Sequence, residues 1–462
     1  MSNERDRLLP TSNGRNYAQD DISQDAHARE LRAAKVRAVV HGLLTVLFVV
    51  GVVVFVVLGF NHDWPWGGRL PKDPLKAAQK ILDAAPVIDG HIDLPILVRE
   101  FYANNVSAVD LTGAMPAHVD IPRLRDGKVG GFFWSVYTSC PSDVGYDDGD
   151  DFLNATWRVR DTLEQIDVAN LLIEKYPDTF QAALTSEDIK QAIRERKIAS
   201  LLGVEGAHQL GNSIAVLRQY YALGVRYVTL THSCHNAFAD SCGIFEKPKP
   251  LHDGLSDLGY ALITEMNRLG MLVDLSHTSD ATARQAIKAS KAPVIWSHSS
   301  ARAVWDVPRN VPDEILELIG TGANKTDAVV MVNFAPYFVA AEGNATVEAV
   351  ADHVDHIAKI AGKEHVGLGS DFDGIGDTPR GLEDVSKYPQ LFALLYQRGW
   401  SRYDLAGLSG GNLLRVMEGA ERVSRDLKAD GAAPAFDLYD KRTDIGKKRD
   451  GRWLVSAGEG EL

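Results

Sequence analysis

Short apolar runs recur through the middle of the chain, separated by longer stretches with helical spacing. The runs are Pro86–Asp93, Gly131–Tyr137, Ala199–Glu205, Val225–His232, Met271–His277, Pro293–His298, Ala328–Phe334 and His365–Phe372. Runs this short and this continuously apolar read as strands buried on both faces. Between them, Asp151–Tyr176, Ser186–Lys197, Leu255–Leu269 and Val347–Ala361 place apolar residues on one helical face. Strands alternating with helices predict an α/β fold with a parallel sheet, and eight of them predict closure into a (β/α)8 TIM barrel. An open doubly wound sheet is the alternative, but no glycine-rich nucleotide loop follows the first strand. The barrel is expected over residues 75–428, closed by a helix from Ser409 to Leu427, with 429–462 as a loosely attached tail.

The N-terminal part has a different pattern. Ala38–Phe60 is 23 residues without a formal charge, long enough as a helix to cross a bilayer core. It exceeds the apolar core of a cleaved signal peptide and is too uniformly Val and Leu for a buried helix of a soluble domain. Residues 38–60 are therefore expected to be a transmembrane signal anchor in contact with lipid. Residues 1–37 are polar without apolar periodicity, which predicts a disordered tail. Residues 61–74 hold Pro65, Gly67, Gly68, Pro71 and Pro74, a linker composition.

The flanking charges orient the helix. Arg29, Arg32, Lys35 and Arg37 crowd one side, whereas Arg69 and Lys72 lie near the other. Positive-inside bias places residues 1–37 in the cytosol and the barrel outside or in a lumen, as in a single-pass type II protein. The glycosylation acceptors Asn105, Asn154, Asn324 and Asn344 all follow the helix. Glu4-Arg-Asp-Arg-Leu8-Leu9 is similar to acidic dileucine sorting signals, leaving vacuole or endosome and plasma membrane as destinations. The C-terminal residues carry no apolar stretch of the kind that signals a GPI anchor.

Composition narrows the function classes. The chain is 45% hydrophobic with a formal net charge of −13, which argues against nucleic acid as a partner. Three cysteines without CxxC spacing argue against a disulfide scaffold and against a thiolate zinc site.

The candidate chemistry lies where the apolar runs stop. The first ends at His91 and Asp93, the third at Glu205 and the fourth at His232; later ones end at His277, His298 and Asp371. In a barrel all strand C-termini face one mouth, so these residues converge although distant in sequence. Burying so many polar groups without partners would cost several kcal/mol each. Imidazoles and carboxylates without thiolate suit zinc, with manganese or cobalt as substitutes. His91 and Asp93 would hold one ion and His277 and His298 a second, with Glu205 bridging the pair. A water shared by two such ions becomes a nucleophile near neutral pH. His232 would polarise the attacked carbonyl, Asp371 would shuttle the proton and Arg309 would grip a carboxylate.

These motifs resemble those of the membrane dipeptidases, also called renal dipeptidases, of the amidohydrolase superfamily. The likeness runs from about Ile81 to Glu421. It is carried by His91-Ile-Asp-Leu-Pro95, Gly130-Gly-Phe-Phe-Trp-Ser-Val-Tyr137, Glu205-Gly-Ala-His208 and Leu230-Thr-His-Ser-Cys234. It continues in Val273-Asp-Leu-Ser-His277, Pro293-Val-Ile-Trp-Ser-His-Ser-Ser300, Arg309-Asn-Val-Pro312, Gly367-Leu-Gly-Ser-Asp-Phe-Asp-Gly374 and Asn412-Leu-Leu-Arg-Val416. The resemblance implies a two-zinc hydrolase of free dipeptides. It places the metal ligands on His91, Asp93, Glu205, His277 and His298, and the substrate contacts on His232, Arg309 and Asp371. It also implies a disulfide between Cys140 and Cys234, which leaves Cys242 as a free thiol. A homodimer is expected from the family; with no evident inter-subunit cysteine here, it would be noncovalent. Another binuclear amidohydrolase activity (amidase, lactonase or β-lactam hydrolase) and a catalytically silent surface protein are the alternatives.

Overall fold

The computed structural model describes residues 16–61, 69–140, 156–441, 448–449 and 452–453. Two units separate along the chain, Met1–Leu70 and Pro71–Leu462.

The described part of the first unit is dominated by one helix, Asn16–Asn61. Its stretch Arg29–Val54 has a mean hydropathy of 2.2 and none of it is buried against protein. The helix begins well before the apolar span, so residues 16–37 are helical where an unstructured tail is expected from their polarity. The cause is local. Ala26, Ala28, Glu30, Leu31, Arg32, Ala33, Ala34 and Lys35 are good helix formers joined without a Gly or Pro to the apolar helix, so they extend it without a new nucleation step. Residues 1–15 of the expected tail, residues 62–68 of the expected linker and Asn154 lie outside the described residues.

The second unit is a parallel barrel. Its strands are β1 (Val87–Ile92), β2 (Val129–Val136), β3 (Phe180–Ala182), β4 (Ile198–Val204), β5 (Val225–Thr229), β6 (Leu272–Asp274), β7 (Val294–Trp296), β8 (Ala328–Val332) and β9 (Val366–Leu368). Hydrogen bonding runs β2-β1-β9-β8-β7-β6-β5-β4, and β2 pairs with β4 to close the ring. Eight strands form the barrel. The three-residue β3 pairs with Ile198–Ser200, below the point where β5 joins β4 at Leu202. Sequence periodicity did not distinguish it from a loop.

Every barrel strand is buried throughout. Ile88, Phe133, Leu201, Tyr227, Leu272, Ile295, Val329 and Met331 belong to one core cluster that also takes in Leu413, Val416, Met417 and Ala420. Those last four lie on the helix Asn412–Ala429, which extends two residues past its expected end. The stretch after it is not loose. Ala435 N–H donates to Glu265 Oε2 at 3.0 Å, Arg218 Nη1 donates to Ala435 O at 2.9 Å, and Tyr439 is buried. A buried carboxylate needs donors, and Glu265 takes this one besides those of Arg218 and Arg268.

Gly203 allows one close approach that matters at the mouth. A Cβ there would lie 2.1 Å from the Tyr227 ring. Its absence lets that ring lie across the barrel interior, where its hydroxyl reaches His91 Nδ1 at 2.7 Å.

Candidate active site

The strands stop short of the polar residues, which occupy the first turns beyond them. Glu205 immediately follows β4, His298 follows β7 by two residues, and His232, His277 and Asp371 follow β5, β6 and β9 by three. His91 sits inside β1, just before Asp93. Leaving the ladder early frees each backbone to aim its side chain at the mouth. His277 and Asp371 do so at positive φ, 61° and 69°, an arrangement non-glycine residues adopt only where the surroundings enforce it.

All of these side chains meet. Glu205 Oε1 lies 3.1 Å from His277 Nε2, 3.2 Å from His298 Nε2, 3.6 Å from His91 Nε2 and 3.6 Å from His232 Nε2. His91 Nε2 is 3.3 Å from Asp93 Oδ2. His277 Nε2 and His298 Nε2 are 3.0 Å apart, a separation at which two imidazole nitrogens share one proton or one cation. Three overlapping groups have one donor atom each within 4.8 Å of one another: His91, Asp93 and Glu205; Glu205, His277 and His298; and His91, His298 and Asp371.

This donor set fits cations. His91 Nε2 is buried and has no hydrogen-bond partner among the described residues, although it faces two carboxylates. Burial opposes charge on Glu205, but the imidazoles of His91 and His232 and the contacts to His277 and His298 hold it well below the usual carboxylate range. Burial, reinforced by Arg309, keeps His277 neutral; burial, reinforced by the His91 charge, does the same for His298. His91 is the exception. Burial favours the neutral ring, yet Tyr227, Asp93 and Glu205 push its pKa well above the usual range. One imidazolium thus balances the carboxylates where a metal charge would do the same.

Asp371 and Arg309 stand differently. Burial and the charge of Asp93 push Asp371 well above the normal carboxylate range, and Asn333 Nδ2 donates to its Oδ2 at 3.0 Å. Arg309 is 3% exposed, with Nη1 donating to Ser299 Oγ at 2.6 Å and Nη2 to His298 O at 2.7 Å. Its Nε is buried without a partner among the described residues. Arg309 therefore sits beneath the site rather than on the wall of the cavity at the barrel mouth. That cavity, of about 460 Å3, is lined by Asp93, Glu205, His232, His277 and Asp371, with Tyr137, Ile244, Phe245, Tyr337 and Phe338 forming its apolar side.

The supporting residues were not picked out from sequence. Asp89 accepts from the backbone N–H groups of His91 and Ser370 and from the Tyr388 hydroxyl. Asp274 accepts from Thr229, Ser297 and the backbone of Ser276. Tyr137 packs its ring 4.8 Å from that of His232, and burial and Glu205 raise its hydroxyl to about 12. An acid inside an otherwise apolar run, as at Asp89 and Asp274, is the signal that marks such positions. Cys140 and Cys234 are disulfide-bonded, and Cys242 is a buried free thiol.

Comparison with known proteins adds the following. Residues 75–431 match the membrane dipeptidase family, peptidase family M19. Dipeptidase verJ of Clonostachys rogersoniana is 43% identical over 385 residues, which is 82% of this chain and 97% of that protein. An uncharacterized dipeptidase of Schizosaccharomyces pombe is 43% identical over 396 residues, covering 83% of this chain and 92% of the other. Among solved structures, a Rhodobacter sphaeroides metallo peptidase bound to a phosphinate mimic of the dipeptide L-Ala-D-Ala superposes with a TM-score of 0.64. It is 26% identical and covers 72% of this chain and 99% of its own. The probable dipeptidase PvdM of Pseudomonas aeruginosa, 22% identical, shares the fold with a TM-score of 0.68 over 76% of this chain and all of its own.

Proposed function

Since the chain belongs to the membrane dipeptidase family, peptidase family M19, and is by that membership a dipeptidase, we propose that it hydrolyses free dipeptides with two zinc ions at the barrel mouth. The observation that supports this most is the position of Glu205 Oε1, within 3.1–3.6 Å of four imidazole nitrogens. His91 and Asp93 would hold one ion and His277 and His298 the other, with Glu205 shared between them. When bound, zinc would supply the chemistry that the side chains lack: an acidified water as nucleophile and electrophilic pull on the scissile carbonyl.

The chain's own residues do the rest. His232, neutral because burial depresses its pKa, keeps an N–H for the carbonyl oxygen of the scissile bond. Asp371, whose pKa burial and Asp93 raise, is the carboxyl placed to carry a proton to the leaving amine. Arg309 places a fixed positive charge and an unpartnered Nε–H beneath the site, which draws in the terminal carboxylate of the substrate. The apolar side of the cavity, Ile244, Phe245, Tyr337 and Phe338, excludes water around the substrate side chains.

The helix Asn16–Asn61 spans a bilayer through its apolar stretch, with the flank holding Arg29, Arg32, Lys35 and Arg37 in the cytosol. This puts the exposed acceptors Asn105, Asn324 and Asn344 on the glycosylated side. Purified full-length protein in detergent should cleave an unmodified dipeptide, lose that activity to a chelator and regain it with zinc. Full activity after exhaustive chelation, with no metal retained, would sink the proposal.

A further inference from the structure

Beside His232 lies a second group of metal-type donors that the proposed chemistry does not use. Cys140 Sγ, Cys234 Sγ and one nitrogen of His208 all fall within 4.8 Å of one another. In the structure the two sulfurs are bonded to each other. His208 is 5% exposed, and its Nε2 lies 2.8 Å from Thr138 O. A carbonyl only accepts, so Nε2 carries the hydrogen and Nδ1 presents a lone pair. That Nδ1 is buried and has no hydrogen-bond partner among the described residues. An imidazole that keeps a buried, unpartnered acceptor and lies beside two sulfurs is a donor set that suits a soft divalent cation. Gly206 keeps that side of the ring open, since a Cβ there would lie 2.4 Å from His208 Nδ1.

We propose that Cys140, Cys234 and His208 form a latent zinc site, closed while the disulfide stands and opened when it is reduced. The sequence separation of 94 residues between the cysteines, without CxxC spacing, hides the site from motif reading. Freed sulfurs move apart to nonbonded contact, and two thiolates on one tetrahedral zinc at about 2.3 Å need the same separation, about 3.7 Å. Cys140 is half-buried whereas Cys234 is buried, so Cys140 is the more accessible of the two cysteines. His232 Nδ1 lies 4.0 Å from Cys140 Sγ, so a further donor atom is at hand beside the three.

The chemistry balances with a water-soluble trialkylphosphine as the reductant. The phosphine attacks one sulfur and the S–S bond breaks. Water supplies the oxygen of the phosphine oxide and the two protons of the thiols. Binding Zn2+ then releases those two protons and leaves a neutral dithiolate complex with the His208 ligand.

The test uses the full chain in detergent micelles, loaded with zinc and freed of excess, before and after phosphine treatment. The reduced protein should retain one more zinc per chain than the oxidised protein. With cobalt in place of zinc it should gain a thiolate-to-metal charge-transfer band in the near ultraviolet. Both signals should vanish in the Cys140→Ser/Cys234→Ser double variant and persist in Cys242→Ser. His208→Gln should weaken the extra site by roughly tenfold or more. Iodoacetamide added after reduction should abolish uptake without any substitution, so the outcome does not hang on the folding of a variant. Equal metal content before and after reduction overturns the proposal, as does an extra equivalent that the double variant or the alkylated protein retains. Metal count is the readout, which keeps this result separate from the success or failure of the dipeptidase assignment.

Discussion

Asp274 is linked to His298 through a single hydroxyl. Ser297 Oγ lies 2.6 Å from Asp274 Oδ2 and 2.8 Å from His298 Nδ1. A serine has one hydrogen, and the carboxylate can only accept, so the hydroxyl donates to Asp274 and accepts from His298 Nδ1–H. This fixes the tautomer that leaves Nε2 free to bind a cation.

Ser297→Ala should therefore lower zinc affinity by about 10–100-fold while the fold persists, and Ser297→Thr should restore most of it. Competition against a chromophoric chelator measures the effect. Unchanged affinity in the alanine variant would mean that the relay does not orient the ligand.

Glu205→Ala removes a carboxylate that lies within 3.6 Å of four imidazole nitrogens. Bound zinc should fall, and kcat/KM should drop by roughly 10^3-fold or more because the centre acts as a unit. Metal analysis alongside dipeptide assays decides this. Near-normal turnover with zinc still bound would contradict the bridging role.

Arg309→Lys keeps the charge but loses the planar fork that holds Ser299 and His298. The wild type should prefer a free dipeptide over its C-terminal amide, and in the variant that preference should shrink by about 10–100-fold, the worth of one charge-assisted contact. The ratio of the two kcat/KM values is the measurement. An unaltered ratio removes Arg309 from carboxylate recognition.

His353 ties acid stability to one buried ring. Its Nε2–H donates to Val339 O at 2.9 Å and its Nδ1 accepts from Ala301 N at 3.0 Å, so only the neutral form fits. Burial pushes its pKa from 6.5 down to about 4. The unfolded chain therefore binds this proton more readily, and stability that is complete above about pH 6.5 drains away as the pH falls toward 4. The loss approaches about 3 kcal/mol at its limit. Urea unfolding of residues 71–462 between pH 7.5 and 4.5 should show a shallower decline in His353→Gln than in the parent. Parallel declines would exclude His353 as a source.

Deleting residues 1–70 should leave the second unit soluble with the kcat/KM of the full chain. The full chain should stay with membranes through carbonate washing and come off only in detergent. Full-length protein released by carbonate would overturn the spanning helix.

Much of this was legible in the sequence for a physical reason. Apolar runs that stop at Glu205, His298 or Asp371 mark both a strand and its exit toward the mouth, so fold and ligands emerge from one pattern. Strand ends were less legible. His232 lies three residues beyond Thr229 because the chain leaves the ladder before it reaches the metal-type residues. Asp89 and Asp274 lie inside their runs, where the acid itself is the signal but alternation does not say what it bonds. Phe180–Ala182 was too short to show a period. The helical residues 16–37 were misread because polarity was weighed over propensity, and residues 432–441 because their anchor, Glu265, lies far back in the chain.

Strand β1 pairs with β9, the last of the ring, and Asp371 lies just beyond it. A chain growing from the ribosome therefore holds His91 and Asp93 in an unfinished sheet until synthesis has passed Asp371. Until the ring closes, His91 lacks the β1–β9 pairing and the Asp89–Ser370 hydrogen bonds that fix its strand, so the site takes its shape only with the finished barrel.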